Sequence, residues 1–150
     1  MRNGLFPILF GGDGGGSALA DVGLLLLRLF TGLALAFAHG FGKVPPSEGF
    51  VASVVEMGFP APEAFAWAAG LSEFAGGLLL AVGLLTRPAA LMIAITMAVA
   101  AVVRHAGDPF SSQEKALLFL AVAVAFLFVG SGRYSLDRLV YRKPDDRIWR

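Results

Sequence analysis

The stretch at residues 22–43, VGLLLLRLFTGLALAFAHGFGK, constrains the fold most, because this apolar run contains an arginine and ends in a histidine and a lysine. At 1.5 Å per residue, roughly 21 helical residues cover about 30 Å, the thickness of the hydrocarbon core of a bilayer. Arg28 lies inside that length, where a charged side chain is costly unless it faces a polar partner. We therefore predict a transmembrane helix with one stripe, formed by Arg28, Gly32, Leu35, His39 and Lys43, which we call the polar stripe. It can be a functional face, or only a helix-packing face whose terminal lysine and histidine extend to the membrane surface.

The rest of the chain repeats this apolar character. Hydrophobic residues make up 57% of the sequence and charged residues 15%, and the mean hydropathy is +0.73. Soluble domains usually carry about 25% charged residues. The apolar residues fall into four blocks, which predicts an all-α integral membrane four-helix bundle over residues 21–140, with a lipid bilayer as its surroundings. The predicted spans cover residues 22–42, 64–85, 89–105 and 114–131.

Charge and cysteine content exclude several function classes. A net charge of +1 argues against a nucleic-acid partner. The sequence has no cysteine, so disulfides, thiolate metal sites and a thiol relay within this chain are excluded. Any redox role must therefore borrow its electron carrier.

The segments outside the spans have their own patterns. Residues 1–20 are predicted to be a flexible, uncleaved N-terminal segment, because Pro7, Asp13 and several glycines make a poor signal-peptide core. Between the first two spans, Ser47 can cap a short amphipathic helix that lies at the membrane interface. After the fourth span, Ser135 can cap a short basic helix, and residues 141–150 form a tail.

The basic residues predict the orientation. With four spans both termini lie on one side of the membrane, and the positive-inside rule places them in the cytoplasm of a prokaryotic cell, whose inner membrane holds the chain. That side would hold Arg2, Arg87, Arg133, Arg138, Arg142, Lys143, Arg147 and Arg150, against Lys43, Arg104 and Lys115 opposite.

Two ionisable residues are predicted inside the bilayer. Glu73 falls near the middle of the second span, and Arg28 lies in the first. Because an arginine side chain can bridge much of the difference in depth, we predict a buried ion pair between Arg28 and Glu73. Its role can be purely architectural, or it can take part in ligand binding or proton transfer.

A second group of polar residues is expected near the opposite membrane face. His39, Lys43, Arg104, His105 and Glu114 come from three helices and end at similar heights. Two histidines and a carboxylate can bind a metal, but we predict none, because histidine at a membrane boundary is commonly only interfacial. Cations beside histidine above an apolar cleft suit a quinone head group, whose carbonyl oxygens they polarise while histidine or glutamate delivers protons.

Several motifs together resemble those of the DoxX family of small bacterial and archaeal membrane proteins. They are LLRL-x2-G in the first span, HG-x2-K at 39–43, E-x2-GG at 73–77, GLLTR-x-A at 83–89, His105, and GSGRYSLDRL at 130–139. The resemblance covers about residues 22–140. It implies a four-helix membrane bundle, and the family's name comes from a subunit associated with a terminal oxidase and with thiosulfate:quinone oxidoreductase.

Three functions follow as hypotheses. The first is a quinone-interacting subunit of a membrane oxidoreductase that works with other redox subunits. The second is a non-catalytic membrane partner or assembly factor for another complex. The third is a small proton-linked transporter gated by Glu73, which four short spans without paired broken helices make less favourable. Small residues on the second span also permit a homo-oligomer.

Overall fold

The computed structural model describes residues 17–140, and within that range all regular elements are helices. Helix α1 (Ala18–Leu33) continues as a π-helical segment (Ala34–Gly40) and a 3₁₀ turn (Phe41–Lys43). It is followed by α2 (Glu48–Glu56), α3 (Pro62–Val82), α4 (Thr86–Val99, with a π-helical end Ala100–Arg104), α5 (Phe110–Val129) and α6 (Leu136–Val140).

Four of these helices are long and apolar enough to cross a membrane, at Ala18–Lys43, Pro62–Val82, Thr86–Arg104 and Phe110–Val129. The predicted all-α, four-span architecture is therefore confirmed, with α2 as the short helix between the first two spans. The helix bounds differ from the predicted ones by a few residues. Residues 1–16, which are most of the predicted flexible segment 1–20, and residues 141–150, the predicted tail, lie outside the described part of the chain. Residues 17–20 are described, and they form the cap and first residues of α1 instead of a flexible segment.

Local sequence signals set the helix ends. The Ser17 hydroxyl accepts a hydrogen bond from the Ala20 N–H at 3.2 Å, and the Ser47 hydroxyl accepts one from Phe50 N–H at 3.3 Å. Both are N-caps, which satisfy donors that the first helical turn leaves unpaired. Pro62 opens α3, where its missing N–H costs nothing, and Gly83 ends that helix in the left-handed conformation at φ 69°.

Alternate spans run in opposite directions, so the bundle has two ends. We call the end that contains Ala18, Val82 and α6 the tail side, and the end that contains Lys43, Pro62 and Phe110 the far side. Helix α3 packs against both α1 and α4, and α5 packs mainly against α4. Buried apolar side chains fill the interior, among them Leu35, Leu80, Ile93, Ala123 and Phe126.

Small residues bring α1 and α3 into close contact. A Cβ atom on Gly77 would lie 2.7 Å from the Gly32 carbonyl oxygen, and one on Gly70 would lie 2.7 Å from the Lys43 carbonyl oxygen. Such approaches are sterically open only to glycine, and they are typical of helix pairs in lipid. Gly70 and Gly77 of the second span therefore pack against α1 of the same chain. The outward faces are apolar instead, with Phe30, Val102 and Phe128 at least 70% exposed.

Candidate functional site

The far-side end of α1 departs from regular α-helix where two candidate residues lie. The π-helical segment Ala34–Gly40 contains His39, and the 3₁₀ turn that follows ends at Lys43. Gly40 allows this distorted end to approach the backbone at Phe74 so closely that a Cβ atom would clash. π-Helical turns inside α-helices occur frequently at functional sites. The distorted end of α1 thus lies against the middle of α3.

Lys43 forms an ion pair with Glu73 at this contact. The ammonium Nζ donates to Oε1 at 2.8 Å and to Oε2 at 2.6 Å. The Glu73 side chain is 4% exposed, whereas that of Lys43 is 32% exposed. The carboxylate is thus buried and the ammonium reaches it from the half-exposed edge of the bundle.

His39 lies beside this pair. Its ring is half-buried and meets the Phe119 ring of α5 edge-on, with the two centroids 5.5 Å apart. Its imidazole is within electrostatic reach of Glu73, Lys43 and Lys115. An imidazole at this position can accept a proton from a neighbouring group or donate one to it. The structure therefore places a proton-exchanging side chain next to a buried carboxylate.

One aromatic ring lies close to the lysine ammonium, and two others contact each other on α1 and α3. Its Nζ lies 5.3 Å from the centroid of the Phe50 ring, which α2 supplies. The rings of Phe41 and Phe74 are 6.0 Å apart between centroids. Lys43 lies at the level of Gly70, about 12 Å along the helix axis from the start of α3. The first two turns of α3 therefore extend beyond the end of α1, and α2 packs against α3. We call His39, Lys43, Glu73 and Phe50 the glutamate cluster.

The other three far-side candidates do not join this cluster. His105 Nδ1 contacts the Asp108 carboxylate at 2.6 Å in the loop after α4. Arg104 and Glu114 are exposed. Of the five far-side candidates, the structure thus brings Lys43 into contact with Glu73 and His39 within electrostatic reach of it. Within residues 17–140, no group of three or more histidine and carboxylate side chains lies close enough to hold a metal ion.

Arg28 does not pair with Glu73, so this predicted ion pair is corrected. Its guanidinium donates from Nε to the Ala81 carbonyl at 3.1 Å, from Nη2 to the Tyr134 carbonyl at 2.6 Å, and from Nη1 to the Ser131 carbonyl. Ala81 lies about 12 Å from Glu73 along the α3 axis, two turns nearer the tail side. Arginine is held at that level by nearby carbonyl oxygens, and Lys43 reaches the carboxylate from the opposite end.

The segment after α5 builds the surroundings of Arg28. Asp137 accepts hydrogen bonds from the Leu85 and Thr86 N–H groups at 2.7 and 3.0 Å, and its own N–H donates to the Gly83 carbonyl at 2.8 Å. Leu85, in the left-handed conformation at φ 50°, has no side-chain cap of its own. A carboxylate from α6 therefore caps α4. We call Arg28, Ala81, Ser131, Tyr134 and Asp137 the arginine cluster.

In the GSGRYSLDRL segment, Ser135 was predicted to cap the following helix, and its hydroxyl accepts a hydrogen bond from the Arg138 N–H at 3.3 Å. The role of Asp137 was not predicted, and the serine- and glycine-rich run before it was the available signal. Besides Asp137, the hydroxyl of Ser135 donates to the Ser131 hydroxyl and the Gly132 carbonyl, both at 2.9 Å. Asp21 of α1 accepts from the Arg133 N–H at 3.0 Å. Ser72, which precedes Glu73 in the sequence, also was not predicted as a candidate, and its buried hydroxyl has no hydrogen-bond partner among the described residues.

Comparison with known proteins gives a consistent result. The sequence profile described as DoxX matches residues 23–106. The chain is 32% identical over 123 residues to "Putative oxidoreductase CatD" of Bacillus subtilis, covering 81% of this chain and 90% of that protein. It is 33% identical over 134 residues to "Inner membrane protein YqjF" of Escherichia coli, covering 83% of this chain and 97% of that protein. No solved structure matches the chain.

Proposed function

This chain belongs to the DoxX family, and from that premise we propose that it is an inner-membrane subunit of an oxidoreductase complex that binds a quinone head group at the glutamate cluster. The chain is a multi-pass membrane protein of the kind that the family comprises. The name of the CatD relative describes an oxidoreductase, and the name of YqjF describes an inner-membrane protein. These names support the general class, and the choice of quinone comes from the side chains.

One observation carries the proposal: a carboxylate, an ammonium and an imidazole lie together at a membrane-spanning level of the bundle. Reduction of a quinone adds two electrons and two protons to its carbonyl oxygens. An ammonium or an imidazole N–H can donate a hydrogen bond to such an oxygen and stabilise the negative charge that develops there. His39 can then supply a proton, and Glu73, which is an ion-paired carboxylate, can do so only after it has taken up a proton.

The electrons must come from another component. The chain has no cysteine with which to bind an iron–sulfur cluster or form a redox-active dithiol. We therefore place the electron donor on a partner subunit. In this arrangement the chain positions the quinone and handles its protons. The excess of arginine on the tail side favours an orientation with both termini in the cytoplasm, which puts the glutamate cluster towards the outer face of the inner membrane.

The test is to extract and identify quinones that co-purify with the full chain. Wild type should retain quinone, and His39→Ala should lose most of it, because the substitution removes the imidazole without disturbing the ion pair. His105→Ala is the matched control, since that histidine also lies on the far side but contacts Asp108 outside the cluster. Equal quinone in His39→Ala and wild type, at equal folded yield, would contradict the site.

A second candidate function is a non-catalytic membrane partner that holds another protein. The observation that favours it is the completeness of the Lys43–Glu73 pair, in which both carboxylate oxygens already accept hydrogen bonds. Such a pair can fix α1 against α3 without binding anything. Absence of quinone from wild type and all variants, combined with stable co-purification of one protein partner, supports this function over the first.

A further inference from the structure

A groove on the tail side is separate from the glutamate cluster and has a mixed lining. It has a volume of about 520 Å³ and lies between α1, the end of α3 and residues 133–139. Leu25, Leu29, Val82 and Leu139 supply apolar walls, and Arg28 and Arg133 also line it. Its volume lies within the range of pockets that hold small molecules.

The charged side chains that line this groove are both arginines, and the nearby Asp137 carboxylate is within electrostatic reach of the buried one, Arg28. Arg28 is 1% exposed and is held by three backbone carbonyls, and no carboxylate of the described residues lies within ion-pair distance of it. The side chain of Arg133 is exposed at the mouth, while its backbone N–H is fixed by Asp21. The neighbouring carboxylates of Asp21 and Asp137 both accept hydrogen bonds from backbone N–H groups. The exposed group that an entering ligand meets is therefore a guanidinium.

The position of the groove adds a second constraint on the ligand. Leu25 and Leu29 lie one turn apart on α1, so the apolar wall continues from the helix end into the membrane-spanning part. Val82 is the last residue of α3 and is 46% exposed. A ligand that fills the groove must have an anionic group at the membrane interface and a hydrocarbon chain below it.

From this charge and shape we propose that the groove binds an anionic phospholipid, with the phosphate at Arg133 and one acyl chain along Leu25, Leu29 and Val82. Guanidinium groups match the geometry of phosphate oxygens and form paired hydrogen bonds with them. A soluble anion would leave the apolar walls unfilled, and a zwitterionic phospholipid would gain less from Arg133, because its quaternary ammonium offsets the charge of its phosphate. The bound lipid would seal the junction between α1 and α6.

The test compares lipid retention by the full chain in native mass spectrometry, after exchange into equimolar phosphatidylglycerol and phosphatidylcholine. Wild type should retain phosphatidylglycerol preferentially. Arg133→Gln should weaken its retention about fivefold, the effect expected for one basic residue at an anionic membrane surface. Arg104→Gln is the control, because Arg104 is an exposed arginine on the far side. Equal retention of the two lipids by wild type, or equal effects of the two substitutions, would overturn the proposal.

A second substitution tests the apolar wall without changing charge. Val82→Trp adds a bulky side chain to the groove at an exposed position, so the bundle should fold normally while phosphatidylglycerol retention falls. Val102→Trp is its control, because Val102 is 70% exposed at the far-side end of α4. Undiminished retention in folded Val82→Trp would also overturn the proposal, since the acyl chain would then lie elsewhere.

Discussion

The two clusters at opposite ends of the bundle stabilise a buried charge in different ways. In the arginine cluster, a cation donates hydrogen bonds to three carbonyls from α3 and from the segment after α5, and the Asp137 carboxylate is within electrostatic reach. In the glutamate cluster, a buried anion is held by one cation whose side chain is about one-third exposed. The first arrangement is closed by the backbone itself, which cannot move without unfolding local structure. The second depends on a flexible lysine that can exchange partners.

This difference separates an architectural site from a site suited to chemistry. Breaking the arginine cluster exposes several carbonyls at once, so it should affect stability more than function. The glutamate cluster has one ion pair, with a histidine within electrostatic reach of it. A ligand can compete there for the ammonium.

The largest effect is expected from Arg28→Leu. This change leaves the carbonyls of Ala81, Ser131 and Tyr134 without their donor, and each unsatisfied buried acceptor costs about 1–3 kcal/mol. We expect a loss of at least about 3 kcal/mol in the free energy of unfolding, measured by denaturant titration in detergent. Arg28→Lys, which keeps the charge but not the three-way geometry, should fall between wild type and Arg28→Leu. If Arg28→Leu were as stable as wild type, the architectural role assigned to the arginine cluster would be contradicted.

The next effect concerns the asymmetry within the glutamate cluster. Lys43→Met leaves a buried carboxylate unpaired and should cost about 2–3 kcal/mol of unfolding free energy, since part of the penalty is avoided by protonation. Glu73→Gln should cost less, because the lysine left behind can extend to water. Denaturant unfolding of the two single variants and of the Lys43→Met, Glu73→Gln double variant measures the coupling energy between the two side chains. A larger loss in Glu73→Gln than in Lys43→Met would contradict the assigned burial.

Gly83→Ala tests how tightly the arginine cluster is closed. A Cβ atom there would lie 2.6 Å from Arg28 Nη1 and 2.7 Å from Ser135 Cβ, at a φ of 69°. We expect the free energy of unfolding to fall by about 2 kcal/mol, because alanine is strained in the left-handed conformation and its Cβ atom would crowd Arg28 and Ser135. Gly58→Ala shares the positive φ, at 80°, but has open space around it, so about 1 kcal/mol is expected. Equal thermal shifts in the two variants would show that the cluster is loosely packed.

The smallest of these effects is expected from Asp137→Ala, which removes the cap of α4. Loss of a capping side chain costs about 1 kcal/mol. Asp108→Ala is the comparison, because its contact with His105 is between partly exposed groups and should contribute about 0.5 kcal/mol or less. Thermal unfolding of the two variants gives the difference directly. A smaller shift in Asp137→Ala than in Asp108→Ala would contradict the capping role.

Sequence patterns were sufficient for the spans and for part of the candidate site. Apolar runs of bilayer length and Ser47 before α2 act locally, so their consequences can be inferred without tertiary contacts. The end of α3 at Val82 was not predicted, because the second span was expected to reach residue 85. The polar stripe placed His39 and Lys43 on one helix face, and the structure brings these two together with Glu73. Arg104, His105 and Glu114 could not be placed from sequence, because loop geometry decides whether side chains at one height also face one another.

The partners of the buried charges were beyond the reach of sequence for a physical reason. Counting residues gives the depth of Arg28 and Glu73, but a charge in a bundle can be satisfied by backbone carbonyls as well as by an opposite charge. The sequence by itself determined that this chain crosses a membrane four times and that it must satisfy charges inside. Only the tertiary structure decided that carbonyls of α3 and the segment after α5 hold Arg28, while Lys43 holds Glu73, because these partners come from elements far apart in the chain.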